Sequence, residues 1–176
     1  MLSKLKEMVF GPDYKEIADK TKSDAGIIDL NHIKHMAEKH YRDGDFYCSE
    51  SIIRTFIDEF QLDLPDDAVA MASVFPVGMG HSGCSCGAVI GAQMMIGYFF
   101  GRRKAGGKKV EKAMELSAEI HDLFMERHGS LCCRVLTKDH TIGSKEHIEQ
   151  CISFTGEMAY EAASIICREL DLEHNC

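Results

Sequence analysis

Apolar residues in this 176-residue chain recur at three- and four-residue spacing almost from end to end, and no stretch alternates with period two for long enough to make a sheet. Helices that each bury one stripe must pack on one another, so the expected fold is all-α. A single-domain bundle of about six to seven helices fits the chain length. Residues 1–10 read as a short helix stopped by Gly11-Pro12, and the polar stretch 13–25 reads as a linker. Together 1–25 form an appendage to a helical domain over 26–172.

Within that domain Ile27, Leu30, Ile33, Ala37 and Tyr41 keep one stripe, with Gly44 as its stop. Asp45 is the expected N-cap of a second helix carrying Phe46, Ile52, Ile53, Phe56, Ile57 and Phe60. Pro65-Asp66-Asp67 opens a third helix to about Val74, and the glycine-rich segment 75–85 reads as a loop. A fourth helix is expected over 86–100, a fifth over 108–128 ending at Gly129, and a short one after Ser130. The last runs from a Ser144 cap to about Leu170, followed by a frayed acidic tail.

A formal charge of −8 leaves no basic face for nucleic acid and disfavours an anionic membrane surface. No uncharged apolar run makes a membrane span, which needs about 18 residues; the nearest, Cys84–Gly101, is broken by Ser85, Gly87, Gly91, Gln93 and Gly97. The N-terminal apolar stretch is too short and interrupted for a signal peptide, so a cytoplasmic location is expected. Eight cysteines in such a chain fall below the density of a disulfide scaffold. In a reducing compartment, clustered cysteines point to metal or redox chemistry.

Three of them stand at expected helix starts: Cys48 three residues after Asp45, Cys133 three after Ser130, and Cys86 at the head of the fourth helix. First-turn N–H groups lack intrahelical partners, and the macrodipole adds positive charge, so both favour thiolate. Cys151 lies one turn after His147 on the last helix. It joins the other three if that helix crosses their ends. The alternative is that each is a small buried hydrophobe.

Gly87, Ala88, Gly91 and Ala92 make a face of small residues beside Cys86. Glycine inside a helix costs about 1 kcal/mol relative to alanine. Close helix packing compensates for it, as does room for a cluster or disulfide, which makes Gly87 and Gly91 candidate cofactor contacts. Cys84 and Cys132 flank the set as further ligands or resolving thiols, Cys167 reads as core, and Cys176 as incidental. His81 is the histidine to watch as a ligand or proton donor. His32 and His35, and the basic turn of Arg102, Arg103, Lys104, Lys108 and Lys109, read as solvated surface, although the turn would also suit an acidic redox partner.

CGAVIG at 86–91, YCSESIIRTF around Cys48, GSLCCRVL at 129–136 and EQCISF at 149–154 form an ordered set. With these the chain resembles the redox-active protein family named for its pattern, C_GCAxxG_C_C, over about residues 30–170. The resemblance implies four defining cysteines, here Cys48, Cys86, Cys133 and Cys151. Cys133 is preferred to Cys132 because the arginine and leucine after it fit the family's GSxxCRxL. Cys84 and Cys132 depart from that pattern. A related domain in split-Soret cytochrome c implies a non-haem iron–sulfur centre.

The chain has no CxxCH, so no c-type haem is expected, and no phosphate loop or dinucleotide fingerprint, so no nucleotide. No motif supports substrate turnover, which leaves enzymatic activity undecided. Three readings stay open: an iron–sulfur or other thiolate-bound metal centre for electron transfer or sensing, a metal-free thiol–disulfide oxidoreductase or sensor, and a zinc-stapled interaction module. A redox partner protein and homodimerisation both stay open.

Overall fold

A computed structural model describes residues 19, 21, 26–103, 105 and 110–176. The helix and linker expected over 1–25, apart from Asp19 and Thr21, lie outside the described residues. So do Lys104, Lys108 and Lys109 of the basic turn.

The described residues form eight helices and one pair of two-residue strands. In chain order these are β1 (Ile28–Asp29), α1 (Leu30–Arg42), α2 (Cys48–Glu59), α3 (Asp67–Ala72), α4 (Pro76–Met79), α5 (Gly87–Phe100), α6 (Glu111–His128), α7 (Cys133–Leu136), α8 (Lys145–Leu170) and β2 (His174–Asn175). The protein is all-α as expected. Its helix count exceeds six to seven because α4 interrupts the expected loop. No described helix is long and apolar enough to cross a membrane.

Helix α5 occupies the centre, packed against α2, α6 and α8. It is apolar on nearly every side, burying Ala88, Val89, Ala92, Met95, Ile96, Phe99 and Phe100, as a helix surrounded by others must. Helix α8 has 26 residues and crosses α1 and α5. Its start is fixed where Ser144 accepts the His147 N–H at 3.2 Å. Helix α1 buries Leu30, Ile33, Ala37 and Tyr41, the stripe read from the sequence. Ile27 belongs elsewhere: it precedes the helix and is 63% exposed.

The start of α2 is displaced. Asp45 and Phe46 donate their N–H groups to the His40 carbonyl, so this stretch ends α1 instead of opening α2. Tyr47 becomes the N-cap, its N–H satisfied by the Glu50 carboxylate at 3.1 Å. The tail beyond α8 is ordered, not frayed. Leu172 is buried, and Ile28 donates to Glu173 at 2.9 Å as β2 pairs in parallel with β1.

Gly91 sits where α5 meets α2. A Cβ there would lie 3.0 Å from both Cα and the carbonyl oxygen of Ser49, so backbone would have to give way. Gly91→Ala is expected to lower unfolding free energy by about 1–3 kcal/mol, the usual cost of overpacking. Urea denaturation of reduced, metal-free protein measures this.

Candidate functional site

Four helices deliver one cysteine each to a common cavity. Cys48 is the first residue of α2, Cys86 the N-cap of α5, Cys133 the first residue of α7, and Cys151 lies two turns into α8. Tyr41, Val77, Gly87, Ala88, His147 and Phe154 complete a lining around about 20 Å³ of space, roughly one water's worth.

Local hydrogen bonds explain these placements. Ser85 and Cys132 face each other in an isolated antiparallel bridge. On one side Cys86 N–H donates to the Leu131 carbonyl at 2.8 Å, and on the other Cys133 N–H donates to the Cys84 carbonyl. The bridge holds the starts of α5 and α7 side by side. Ser130 accepts the Cys132 N–H at 3.0 Å in a turn before α7, so Cys132, not Ser130, is the N-cap. Cys48 and Cys133 therefore stand two positions nearer their helix starts than expected.

Helix α4 closes the cavity in an unusual way. Val77, Gly78, Met79, Gly80 and His81 all have φ between 53° and 69°. Such left-handed backbone costs about 1–2 kcal/mol at each non-glycine residue, and more for β-branched valine. The Val77 carbonyl accepts the Gly83 N–H at 3.2 Å within this turn. At Gly78 a Cβ would meet Cys84 N at 2.5 Å and Cys133 Cβ at 2.7 Å. At Gly87 it would collide with the Cys48 sulfur.

The electrostatics overturn the expected thiolate character. Backbone N–H groups do reach the sulfurs, from Ser49 to Cys48 and from Ala88 and Val89 to Cys86, and each pulls the pKa down. Burial outweighs them. It drives Cys48 well above its ordinary 9.0, Cys86 to about 12 and Cys151 to about 11, and it also raises Cys133. Neighbouring thiols push in the same direction: Cys86 and Cys151 on Cys48, Cys133 on Cys86 and Cys151. No lysine or arginine is among the lining residues. With nothing bound, these thiols are neutral at physiological pH.

The remaining candidates are dispersed. His81 is exposed on the left-handed turn and does not line the cavity, and neither does Gly91. Cys84 is exposed, while Cys132 is half-buried with its thiol donating to the Gly83 carbonyl at 3.2 Å. Cys167 is fully buried in the core, and Cys176 is exposed. His32 lies 3.4 Å from Glu59 on the surface, and His35 is exposed. Four lining residues were not read as site residues from the sequence: Tyr41, Val77, His147 and Phe154. Tyr41 was counted only as core, although it hydrogen-bonds the Cys151 sulfur and lowers its pKa. His147 showed its signal in the four-residue spacing to Cys151; the two side chains are 3.8 Å apart.

Residues 46–165 match the family described as "Putative redox-active protein (C_GCAxxG_C_C)". The chain belongs to that family. No curated protein and no solved structure matches it. The matched residues include all four cysteines that line the cavity.

Two expectations follow from this geometry. Gly78→Ala should cost about 2–5 kcal/mol, combining a left-handed alanine with a collision against backbone, as read by thermal or urea unfolding. In reduced, metal-free protein, unfolded cysteines ionise above about pH 9 while Cys86 and Cys151 stay protonated until about 12 and 11. Stability is thus intact below about pH 9 and falls as pH rises toward those values. Urea midpoints across that range should decline, and less steeply in Cys86→Ala.

Proposed function

We propose that Cys48, Cys86, Cys133 and Cys151 together hold an iron–sulfur centre used in electron transfer or redox sensing. The observation that carries this reading is the convergence of four thiols, from four separate helices, on one cavity. The donor set suits such a centre, since cysteine thiolates are its usual ligands. Gly87 suits it too, because any side chain there would displace the Cys48 sulfur. Among the described residues no three His, Cys, Asp or Glu are gathered tightly enough to hold a single metal ion.

When bound, such a centre supplies one-electron exchange. The chain's part is to release the thiol protons as the ligands form, to exclude water with Val77 and Phe154, and to hold the four sulfurs in register. Burial opposes bare thiolates here, so cationic metal is what makes their ionised form tolerable.

The small volume of the cavity supports a second reading. Four thiols lining one cavity of about 20 Å³ suit pairwise oxidation. Two thiols would then become one disulfide, releasing two electrons and two protons to an acceptor such as another protein's disulfide.

Anaerobically purified protein should be brown and contain stoichiometric iron and acid-labile sulfide. Cys48→Ser, Cys86→Ser and Gly87→Ala should each lose most of the colour, whereas Cys84→Ser and Cys176→Ser should keep it. Colourless protein whose thiol count falls by two or four on oxidation supports the disulfide reading, and zinc alone supports the interaction module. Eight free thiols without metal under both conditions contradict all three.

A further inference from the structure

A cavity of about 20 Å³ has room for one water, so nothing larger reaches its four sulfurs until part of the wall moves. Most of that wall is stiff, standing on α1, α2, α5 and α8 or at the bridged start of α7. Val77 alone among the lining residues belongs to the left-handed turn. Glycine adopts such backbone freely, whereas Val77, Met79 and His81 are strained in it, the β-branched valine most of all. Pro76 and Gly78 are buried, while Met79, Gly80 and His81 are exposed. Two hydrogen bonds tie the turn to the next loop, from Gly83 N–H to the Val77 carbonyl at 3.2 Å and from Cys84 N–H to the Gly78 carbonyl at 3.0 Å. That loop is itself fixed to α7. The Arg134 side chain donates to the Ser82 carbonyl at 2.8 Å, and the Arg134 N–H to the Gly83 carbonyl at 3.1 Å.

We propose that residues 77–81 are a strained gate over the cavity, whose outward swing lets a metal ion or an oxidant reach the four cysteines. Val77 completes the wall when the gate is shut. Opening breaks the bonds from Gly83 and Cys84 but relaxes three unfavourable residues. The turn therefore opens more readily than the helices around it, as segments with exposed backbone and few buried apolar contacts do. Because Arg134 keeps residues 82–83 on α7, the movement leaves Cys86 and Cys133 where they are. This inference rests on the reading that the four cysteines take up something arriving from solution, which a metal centre and a disulfide site both require.

The test uses full-length, fully reduced, metal-free protein at one pH, with site-resolved iodoacetamide labelling and amide hydrogen exchange. Iodoacetamide does not fit the closed cavity, so labelling of the four cysteines follows the open population. Cys167, fully buried in the core, follows global unfolding. In wild-type protein the four should label together and at least about tenfold faster than Cys167, and the Gly83 and Cys84 amides should exchange through the same opening. Gly80 has φ +65° with only the Val74 carbonyl near, at 3.5 Å, so Gly80→Ala adds strain without a collision. It should speed the four labels and both amides alike, by about three- to tenfold. Met79→Gly combined with His81→Gly removes strain, leaves Val77 in the wall, and should slow them by a similar factor. Exposed Cys84 and Cys176 should label equally in every variant. Four cysteines that label no faster than Cys167, or whose rates ignore both variants, would overturn the inference. If Gly80→Ala fails to fold, the glycine double variant decides in the same way. Native protein without iron would contradict the iron–sulfur reading and leave these rates untouched. Rates indifferent to the turn, beside an intact centre, would refute only the gate.

Discussion

The paired backbone hydrogen bonds of the Ser85–Cys132 bridge are what the site depends on. Cys86 donates to Leu131, Cys133 donates to Cys84, and the starts of α5 and α7 are thereby held together. These contacts span more than forty residues of chain. The left-handed turn packs onto the same bridge, with Cys84 N–H donating to the Gly78 carbonyl at 3.0 Å. Cys48 then enters from α2, which packs along α5, and Cys151 from α8, which crosses it. Four distant positions in the sequence become neighbours because two short loops are stitched at their backbones.

Two opposing effects act on the thiols gathered there. Helix starts offer N–H groups and partial positive charge, and both reach Cys48 and Cys86. Withdrawal from water is larger, and α7, only four residues long, contributes little dipole at Cys133. The net result is a nest of neutral thiols with no cationic side chain in its lining. In such a site a cationic guest or pairwise oxidation would remove the cost of isolated thiolates. Cys151 differs from its companions in having Tyr41 and His147 beside it.

Much of the fold was legible because long helices bury regular stripes. Ser144 and Leu170 bound α8 as read, and Leu30, Ile33, Ala37 and Tyr41 form the buried face of α1. The short-range caps were less legible. Asp45 looks like an N-cap, but tertiary folding commits its N–H to His40, and Ser130 serves a turn instead of α7. Nothing in Val77 or Met79 signals left-handed backbone, which only glycine adopts readily. The four-cysteine grouping was visible from motif order and helix starts. Its protonation state was not, because burial is a property of the assembled bundle.

The central claim is that Cys48, Cys86, Cys133 and Cys151 act as one unit. Site-resolved alkylation of anaerobically isolated protein, before and after reduction with chelation, tests it most directly. The four should be protected together in the isolated protein and become reactive together after treatment, while Cys84 and Cys176 label throughout. Four cysteines that change reactivity independently, or not at all, would contradict the account.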